Sequence, residues 1–347
     1  MNSFKKEKVN LPLSTTWLMN SISEYKGKQE LYTRQSPQIL RTLVEMALIE
    51  SSESSNRIEG VTVDRNRLKP LIIGHSRPRD RSEEEVAGYR KALDWIHRKH
   101  ESLEISPKVI LELHRLSRGE AGDAGEWKKR DNEIVRKNPD GSMDVIYKAT
   151  SAAETPKAIE QSCRLYYHSM DQLRYPPLYA IACLILDFLC IHPFRDGNGR
   201  VSRLLTILAL YHYGYSVGKY ISLERIVEQT KETYYESLNK SSQEWHKAKH
   251  DALPWLNYFL GMVLSAYKEF EERASQFKPG RGAKTEIAKQ AIDHQLGEFT
   301  LSDILRICPG VSRETVKLAF RELVKEKKII CLGKGKSAKW KKRQLKK

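Results

Sequence analysis

Apolar residues recur three and four positions apart over most of this chain. The spacing predicts amphipathic helices near residues 36–50, 82–98, 106–118, 155–172, 177–190, 199–212, 230–241 and 253–274. One stretch interrupts the pattern, because two β-prone runs flank Asn138-Pro-Asp-Gly141, a composition that suits a tight reversal. They predict a β-hairpin over residues 132–147, so the expected fold is mainly α-helical with one small hairpin.

The last part of the chain follows a different order. A Lys-Pro-Gly-Arg-Gly stretch at 278–282 predicts a linker. The sequence beyond it predicts helices at 286–295, 301–307 and 312–326, then two strands around 333–336. This is the order of a winged helix, so residues 278–347 are expected to form a linker and a winged-helix-like domain.

The charge of the chain is concentrated at this end. The net charge is +16, and residues 321–347 contain twelve Lys or Arg against two Glu. Arg313, Lys317 and Arg321 would project at helical spacing from the third helix, where they could contact DNA through residues 284–347. The alternative is a small helical domain used for dimer contacts or target docking, with its charges solvated.

Composition narrows the class of protein. Hydrophobic residues make up 40% and charged residues 30% of 347, which is enough apolar material for a core. The sequence contains neither a long uncharged apolar run nor the apolar segment of a signal peptide, so a cytoplasmic protein is expected. Five scattered cysteines, never in a CxxC pair, argue against a disulfide framework or a zinc site and are expected to be small core residues.

Polar residues that can bind a ligand or take part in catalysis are densest in the segment 191–203, between two strongly apolar helices. Gly197, Asn198 and Gly199 allow a sharp turn that aims several N–H groups at one point, next to the positive end of the following helix. Arg200 and Arg203 lie three apart on the first helical turn, and guanidinium groups grip phosphate oxygens. Phosphate is therefore the expected ligand.

The same segment supplies groups for catalysis. Asp196 can hold Mg²⁺, which prefers oxygen ligands and usually takes only one or two from protein. His192 titrates near neutrality and can accept a proton from an incoming hydroxyl. Phe194, between polar neighbours, is expected to point inward and fix the loop to the core. A purely structural loop is the alternative, but this combination of residues does not favour it.

The string His192-Pro-Phe-Arg-Asp-Gly-Asn-Gly-Arg200 resembles the nine-residue signature of Fic domain proteins, and Arg203 resembles the second arginine that often follows it. The resemblance implies a helical Fic core that transfers AMP from ATP to a Ser, Thr or Tyr hydroxyl of a target protein and releases pyrophosphate. It implies that His192 is the general base, that Asp196 carries Mg²⁺, and that the backbone of 197–199 with both arginines holds the phosphates. We call residues 192–203 the catalytic loop.

Other assignments follow from the same resemblance. The hairpin 132–147 resembles the family's flap, on which a target segment lies extended, and residues Lys148 to Ser151 would line the nucleotide. Tyr234 falls where family members often contact adenine, although tyrosines on a helix are also common core residues. Lys128 stands where an arginine is common, which leaves the flap geometry and the target open.

A second motif precedes the catalytic loop. Ser55-Asn-Arg-Ile-Glu59-Gly60 resembles the inhibitory motif of Fic proteins that carry it on an N-terminal helix. Glu59 would pair with Arg203 and remove an anchor for the γ-phosphate, Ser55 would form a hydrogen bond nearby, and Gly60 would end the helix. We call residues 55–60 the inhibitory motif. The alternative is an ordinary helix that ends in Glu-Gly.

These elements predict three regions: an N-terminal helical region (1–100) with the inhibitory motif, a Fic core (101–277), and the linker with its winged-helix-like domain (278–347). Two other functions stay open. The site could remove AMP from a modified target or use another nucleotide donor, and the chain could be a DNA-binding regulator. Self-modification and a homodimer are further options.

Overall fold

A computed structural model describes residues 2–5, 9–35, 37–72, 76–137, 143–275, 283–293, 295, 297–308, 311–333, 335 and 338–343. Eleven helices make up the described part of the chain before residue 276: α1 (Leu13–Gln35), α2 (Pro37–Ile58), α3 (Arg65–Ile72), α4 (Arg81–Lys99), α5 (Pro107–Arg118), α6 (Thr155–Asp171), α7 (Pro177–Ile191), α8 (Asn198–His212), α9 (Leu223–Gln229), α10 (Lys231–Ser242) and α11 (Leu253–Ser275). Short 3₁₀ turns cover His100–Ser102, Ser216–Lys219 and Trp245–Lys247. The prediction of a mainly α-helical body is confirmed.

The eight predicted helices are all present, but α1, α3 and α9 were missed. Helix α1 shows why, since it packs along α11 and its buried stripe contains polar residues. Thr15 is fully buried there and donates to Asn257 Oδ1 at 2.8 Å. Gln29, further along the same helix, is also buried. Apolar spacing cannot detect a helix whose inward face is partly polar.

Helices α7 and α8 form the centre of the body. Thirteen of the fifteen residues of α7 are buried, so this helix is apolar on every side and is surrounded by other helices. Helix α8 starts immediately after the loop that follows α7, and it packs against α4, α5 and α7. The catalytic loop is therefore fixed at both ends by helices in which thirteen of fifteen residues are buried.

The hairpin consists of β1 (Glu133–Lys137) and β2 (Met143–Lys148), which pair antiparallel. Its register places Glu133 opposite Lys148 and Lys137 opposite Met143, with an irregularity between Ile134 and Val135. The predicted hairpin is confirmed, whereas its expected turn at 138–141 lies outside the described residues. Its base is held down by Tyr147, which is buried and stacks on His246 with ring centroids 5.4 Å apart.

The C-terminal segment contains α12 (Ala283–Asp293), β3 (Phe299–Thr300), α13 (Leu301–Ile307), α14 (Arg313–Lys325), β4 (Ile329–Cys331) and β5 (Lys339–Lys342). Its strands form a sheet in the order β3-β5-β4, so the predicted helices and two strands are present and β3 is an addition. Ser312 caps α14 by accepting a hydrogen bond from Thr315 N at 3.2 Å. Helices α12 and α13 pack against α2. The winged-helix interpretation and the three domain boundaries stay predictions.

Two composition-based expectations can be compared with the fold. Cys163, Cys183, Cys190 and Cys308 are buried as expected, but the expectation is wrong for Cys331, which is exposed at the end of β4. Exposure increases along β4 from buried Ile329 to Cys331, its last residue, so the thiol lies where the strand leaves the core. Within the described ranges, none of the helices has the length and apolarity needed to cross a membrane.

Candidate active site

His192 stands at the junction between α7 and the catalytic loop. Its backbone N–H still donates to Phe188 O at 2.9 Å, but its φ of 51° is left-handed, and Pro193 follows. This conformation ends α7 and turns the chain sharply, because few L-residues with side chains adopt it without strain. The junction is therefore set by the tertiary contacts around His192.

The tautomer of His192 follows from its contacts. Its Nδ1 lies 3.3 Å from the carbonyl oxygen of Leu189, and a carbonyl can only accept, so Nδ1 carries the proton. The lone pair of the neutral ring is then on Nε2. Burial lowers the pKa of His192 to about 4, and the nearby charge of Lys128 acts in the same direction. The imidazole is neutral at physiological pH and is able to accept a proton.

Phe194 fixes the catalytic loop to the core. Its ring is fully buried and is stacked on His114 at 3.8 Å and on Trp127 at 5.2 Å between ring centroids. Asn198 closes the loop from inside, since its Oδ1 accepts from Phe194 N at 2.9 Å and its Nδ2 donates to Phe194 O at 2.8 Å. The inward position predicted for Phe194 is confirmed, and the Asn198 amide shapes the loop.

His114 supports the loop from α5. Gly125 N–H donates to its Nδ1 at 3.0 Å, so its Nε2 carries the proton and donates to Asp196 O at 3.0 Å. Both ring nitrogens are satisfied only in the neutral form. Burial lowers the pKa of His114 to about 4, which agrees with this arrangement.

Asp196 lies at the mouth of the site with its side chain 47% exposed. Its Oδ2 accepts from Arg118 at 2.8 Å and from Arg81 at 3.2 Å, and its Oδ1 accepts from Gly197 N at 2.6 Å. Burial alone would raise its pKa, but the charges of Arg118 and Arg200 outweigh burial and the pKa of Asp196 is lowered. The carboxylate is therefore ionised and nearly half-exposed.

Arg200 has a different environment from the one its sequence position suggested. It is 1% exposed, and its Nη1 lies 2.7 Å from Oε2 of Glu85, a buried residue of α4. Oε1 of Glu85 also accepts from Arg118 at 2.7 Å and from Arg81 at 3.0 Å. Glu85 thus holds these arginines around Asp196, and phosphate binding by Arg200 stays a prediction.

Arg203 makes the contacts expected from the inhibitory motif. Its Nε donates to Ser55 Oγ at 2.9 Å, and its Nη2 donates to Ser55 O at 2.9 Å and to Glu59 Oε1 at 2.8 Å. A methyl group on Gly199 would place its carbon 2.2 Å from Glu59 Oε1. The carboxylate therefore lies against the first turn of α8, where a helix N-terminus favours negative charge.

The end of α2 is held in place by contacts with the following helices. Gly60 terminates it with φ of +80°, as predicted. Lys231 Nζ donates to Ile58 O at 2.7 Å, and Arg57 contacts Glu228 through two hydrogen bonds of 2.7 and 2.8 Å. The position of Glu59 therefore depends on α9 and α10 as well as on Arg203.

Tyr234 lies mainly in the core, and its assignment to the nucleotide stays a prediction. Its side chain is 4% exposed and forms edge contacts with Trp255 and Tyr258 at 5.7 and 5.6 Å between centroids. The following residue, Tyr235, is 45% exposed. Burial of its hydroxyl and, next, the charge of Glu59 raise the pKa of Tyr235, which places this ring beside the inhibitory motif. Helical periodicity cannot decide which of two consecutive tyrosines faces inward.

The remaining predicted residues are those after the hairpin, expected to line the nucleotide, and the cations of α14, expected to contact DNA. Lys148 is exposed at the end of β2, whereas Ala149 and Thr150 are buried. On α14, Arg313 and Arg321 are exposed, and Lys317 is paired with Glu314 at 2.9 Å. Their roles toward nucleotide and DNA stay predictions.

Sequence reasoning missed the residues that surround Asp196 from other helices. Glu85, Arg118 and Arg81 come from α4 and α5, at least 78 positions before Asp196. A buried glutamate in the run Ser82-Glu-Glu-Glu85 and an arginine at the end of α5 carry no local pattern that links them to residue 196. Among the residues that the structure describes, no cluster of three or more His, Cys, Asp or Glu could hold a metal. A cation here would depend on Asp196 and on oxygens from a ligand.

Comparison with known proteins finds relatives for the part of the chain that contains the catalytic loop. The Fic/DOC family profile matches residues 104–210. A Fido domain-containing protein from Dictyostelium discoideum is 34% identical over 110 residues, which are 30% of this chain and 73% of the relative. The protein adenylyltransferase Fic of Drosophila virilis is 30% identical over 134 residues, 38% of this chain, which spans about a quarter (25%) of that relative's length.

The fold extends the match over the whole chain. The crystal structure of a Fic family protein from Desulfovibrio desulfuricans aligns with a TM-score of 0.64 at 20% identity, covering 99% of both chains. The fold similarity therefore includes α1, α2 and the C-terminal segment, which lie outside the residues matched by the family profile.

Proposed function

This chain belongs to the Fic/DOC family, and from that premise we propose that it transfers AMP from ATP to a hydroxyl group of a protein. The observation that carries the proposal is a pairing of two features around α8. Next to the N-terminus of this helix, a carboxylate lies against Gly199 and contacts Arg203, so the position accepts an anion. At the other end of the catalytic loop, the neutral ring of His192 has its lone pair on Nε2.

Each residue then has a definite task. The side-chain hydroxyl of the target protein attacks the α-phosphorus of ATP, and its proton passes to Nε2 of His192. The new bond joins this oxygen to phosphorus while the bond to the bridging oxygen of pyrophosphate breaks. Backbone N–H groups at 197–199, with Arg203, hold the phosphates in place. Asn198 and His114 keep the loop in the shape that this requires.

Mg²⁺ fits the chemistry of Asp196. The carboxylate is ionised, half-exposed and directed to the mouth of the site. When bound, Mg²⁺ neutralises phosphate charge. Arg81, which is 68% exposed, would have to leave Oδ2 of Asp196, whereas buried Arg118 and Glu85 would remain.

Glu59 restrains this activity. Its carboxylate occupies the side of Gly199 and contacts Arg203, so it excludes the outer phosphates from the same positive groups. ATP would bind in a pose that does not present its α-phosphorus to the target hydroxyl. The proposed brake is therefore competition between two anions for one site.

The test uses ATP labelled at the α-phosphate and, separately, at the γ-phosphate. Glu59→Gly should increase covalent labelling of proteins in a cell extract, or of the enzyme itself, from the α-label alone. His192→Ala in the Glu59→Gly background should lower the rate by roughly 10²- to 10⁴-fold, the contribution of a general base. Equal, low labelling with and without Glu59 would reject the brake, and unchanged labelling without His192 would reject the mechanism.

The same assay distinguishes the alternative reactions. Stronger labelling from GTP, CTP or UTP than from ATP would indicate another donor. Loss of AMP from a premodified protein that depends on Glu59 would indicate removal of AMP. Docking of the target on the hairpin 132–147, self-modification, homodimer formation and DNA binding by residues 284–347 are further proposals. Salt-dependent binding of duplex DNA by the full chain, reduced by Arg313→Ala and Arg321→Ala, would support the last.

A further inference from the structure

The segment 127–132 runs beneath the catalytic loop before it enters β1. Trp127 stacks on Phe194, and the backbone N–H of Lys128 donates to Pro193 O at 2.9 Å. The side chain of Lys128 turns inward and is 5% exposed. A buried ammonium requires several oxygen partners, because burial otherwise disfavours its charge.

Those partners lie just before His192 and at the base of the hairpin. Lys128 Nζ donates to Ile191 O at 3.1 Å and to Asn132 Oδ1 at 2.7 Å. Asn132 Nδ2 in turn donates to Phe194 O at 3.0 Å. The carbonyl groups of residues 191, 193 and 194 are therefore all bound by a segment of five residues, Lys128–Asn132.

The hairpin is attached to the same segment. Asn132 precedes β1 directly, and its carbonyl accepts from Ala149 N, just after β2, at 3.3 Å. Asp131 Oδ1 accepts from Ala152 N at 2.7 Å. Both ends of the hairpin are thus joined to the chain that holds His192, so a movement of one is transmitted to the other.

His192 needs this support. Its left-handed φ of 51° is unfavourable for a residue with a side chain, so neighbouring contacts must maintain it. The carbonyl of Ile191 belongs to the peptide that enters His192, and Lys128 fixes the orientation of that peptide.

We propose that Lys128 is a positioning residue for the transfer reaction: through Ile191 and Asn132 it holds the His192 backbone and the hairpin base in one fixed arrangement. The inference rests on the proposed function, in which His192 must meet a hydroxyl presented on the hairpin. A displacement of about 1 Å between reacting groups can lower a rate on the order of 10²-fold.

The charge of Lys128 adds a measurable property. Burial lowers the pKa of Lys128 to about 8, with the Asp131 carboxylate opposing the shift. The charged groups that face His192 are Lys128, which lowers its pKa, and Glu59 and Asp196, which raise it. Neutralising Lys128 should therefore raise the pKa of His192. Since Lys128 loses its own charge as the pH rises through about 8, the wild-type rate should fall over the same range.

The experiment compares Lys128→Met, Lys128→Arg, Asn132→Asp and Lys129→Met in the Glu59→Gly background. Lys129 is the control, since it is the adjacent lysine, its side chain is 81% exposed, and it pairs only with Glu126 in the described structure. Asn132→Asp keeps an acceptor for Lys128 but loses the donor to Phe194 O. Transfer from α-labelled ATP is measured from pH 6 to 10, and the His192 ring is titrated by NMR of ¹³C-labelled histidine.

Lys128→Met should lower kcat about 10²-fold at unchanged KM for ATP and raise the pKa of the His192 ring by at least about 0.5. Lys128→Arg should restore most activity and remove the decline near pH 8, because arginine stays charged. Asn132→Asp should lower kcat and, because its added carboxylate opposes the charge of Lys128, should also raise the pKa of His192, whereas Lys129→Met should change neither quantity.

Two results would overturn the inference: an unchanged His192 titration in folded Lys128→Met, or activity losses that follow only the melting temperatures of the variants. If Lys128→Met does not fold, Lys128→Arg and Asn132→Asp decide by the same measurements. The NMR titration needs no turnover. A His192 response to Lys128→Met without AMP transfer by any variant would reject the proposed function and retain the contact between the two residues.

Discussion

Removing the Glu59 carboxylate should weaken the free protein and strengthen its complex with ATP. In Glu59→Ala, the buried guanidinium of Arg203 loses its carboxylate but keeps Ser55. A merely structural ion pair would behave differently, because its removal lowers stability with or without nucleotide. The opposite signs of the two effects therefore identify a brake.

The magnitudes follow from the contact. A hydrogen bond to a charged group contributes about 1.5 to 3 kcal/mol, and the Glu59 side chain is 27% exposed, which favours the lower part of this range. For 347 residues the entropy of unfolding is about 0.7 kcal/mol/K, so a loss of about 1.5 to 2 kcal/mol lowers Tm by about 2 to 3 °C. The wild type must break the same contact to bind ATP, which weakens its binding roughly 10- to 30-fold.

The assay is thermal unfolding at a series of ATP concentrations with Mg²⁺. At an ATP concentration about 100-fold above its Kd, Glu59→Ala should gain about 2.7 kcal/mol, or about 4 °C. The wild type at the same concentration should gain about 2 °C less. Glu59→Gln, which keeps an acceptor but no charge, should fall between them. An equal ATP-induced rise in Tm for all three proteins would refute the reasoning.

Three further predictions concern the surroundings of this contact. Gly199→Ala should lower the affinity for ATP about tenfold or more, even in a protein without Glu59, because the added methyl carbon would lie 2.2 Å from the position of Glu59 Oε1. Calorimetry measures this affinity, and normal ATP binding by Gly199→Ala would contradict the prediction. Lys231→Ala should raise basal AMP transfer several-fold, since it frees Ile58 O at the end of α2, and an unchanged basal rate would show that α2 is held without it. The folded-state pKa of His114 is depressed to about 4, so the unfolded state takes up protons first as the pH falls below about 6.5. The free energy of unfolding, measured by denaturation, should therefore fall by about 2 kcal/mol between pH 7.5 and 5 because of His114. His114→Gln should lack this loss, and equal losses in both proteins would contradict the prediction.

Much of the site could be predicted because its chemistry is local in sequence. The turn between α7 and α8 places histidine, aspartate, glycines and arginines within twelve residues, so their proximity needed no tertiary information. Phe194 was predicted to point inward from its polar neighbours alone, and it does. The contact of Glu59 with Arg203, which joins residues 144 positions apart, followed instead from the family resemblance.

The missed features depend on which side of a helix faces the core. Arg200 and Arg203 share one turn of α8, yet Arg200 contacts Glu85 from α4, whereas Arg203 contacts Ser55 in α2 and Glu59 just after it. The sequence spacing puts the two arginines on one face of α8 but cannot show that two different helices, α4 and α2, pack against that face. The burial of Tyr234 and the exposure of Tyr235 have the same origin, because a rotation of about 100° per residue separates a core ring from an exposed one.

The geometry around α8 also constrains how the proposed brake can be released. Glu59 and the outer phosphates would use the same positive groups, so ATP alone competes with a carboxylate that α2 holds at high local concentration. That advantage depends on the clamps at the end of α2, formed by Arg57 with Glu228 and by Lys231 with Ile58 O. A regulator therefore need not reach the active site, since any event that loosens α2 from α9 and α10 lowers the effective concentration of Glu59. Helices α12 and α13 also pack on α2, so the C-terminal segment contacts the helix that positions Glu59. Release should accordingly respond to changes far from His192 while the chemistry at His192 stays the same.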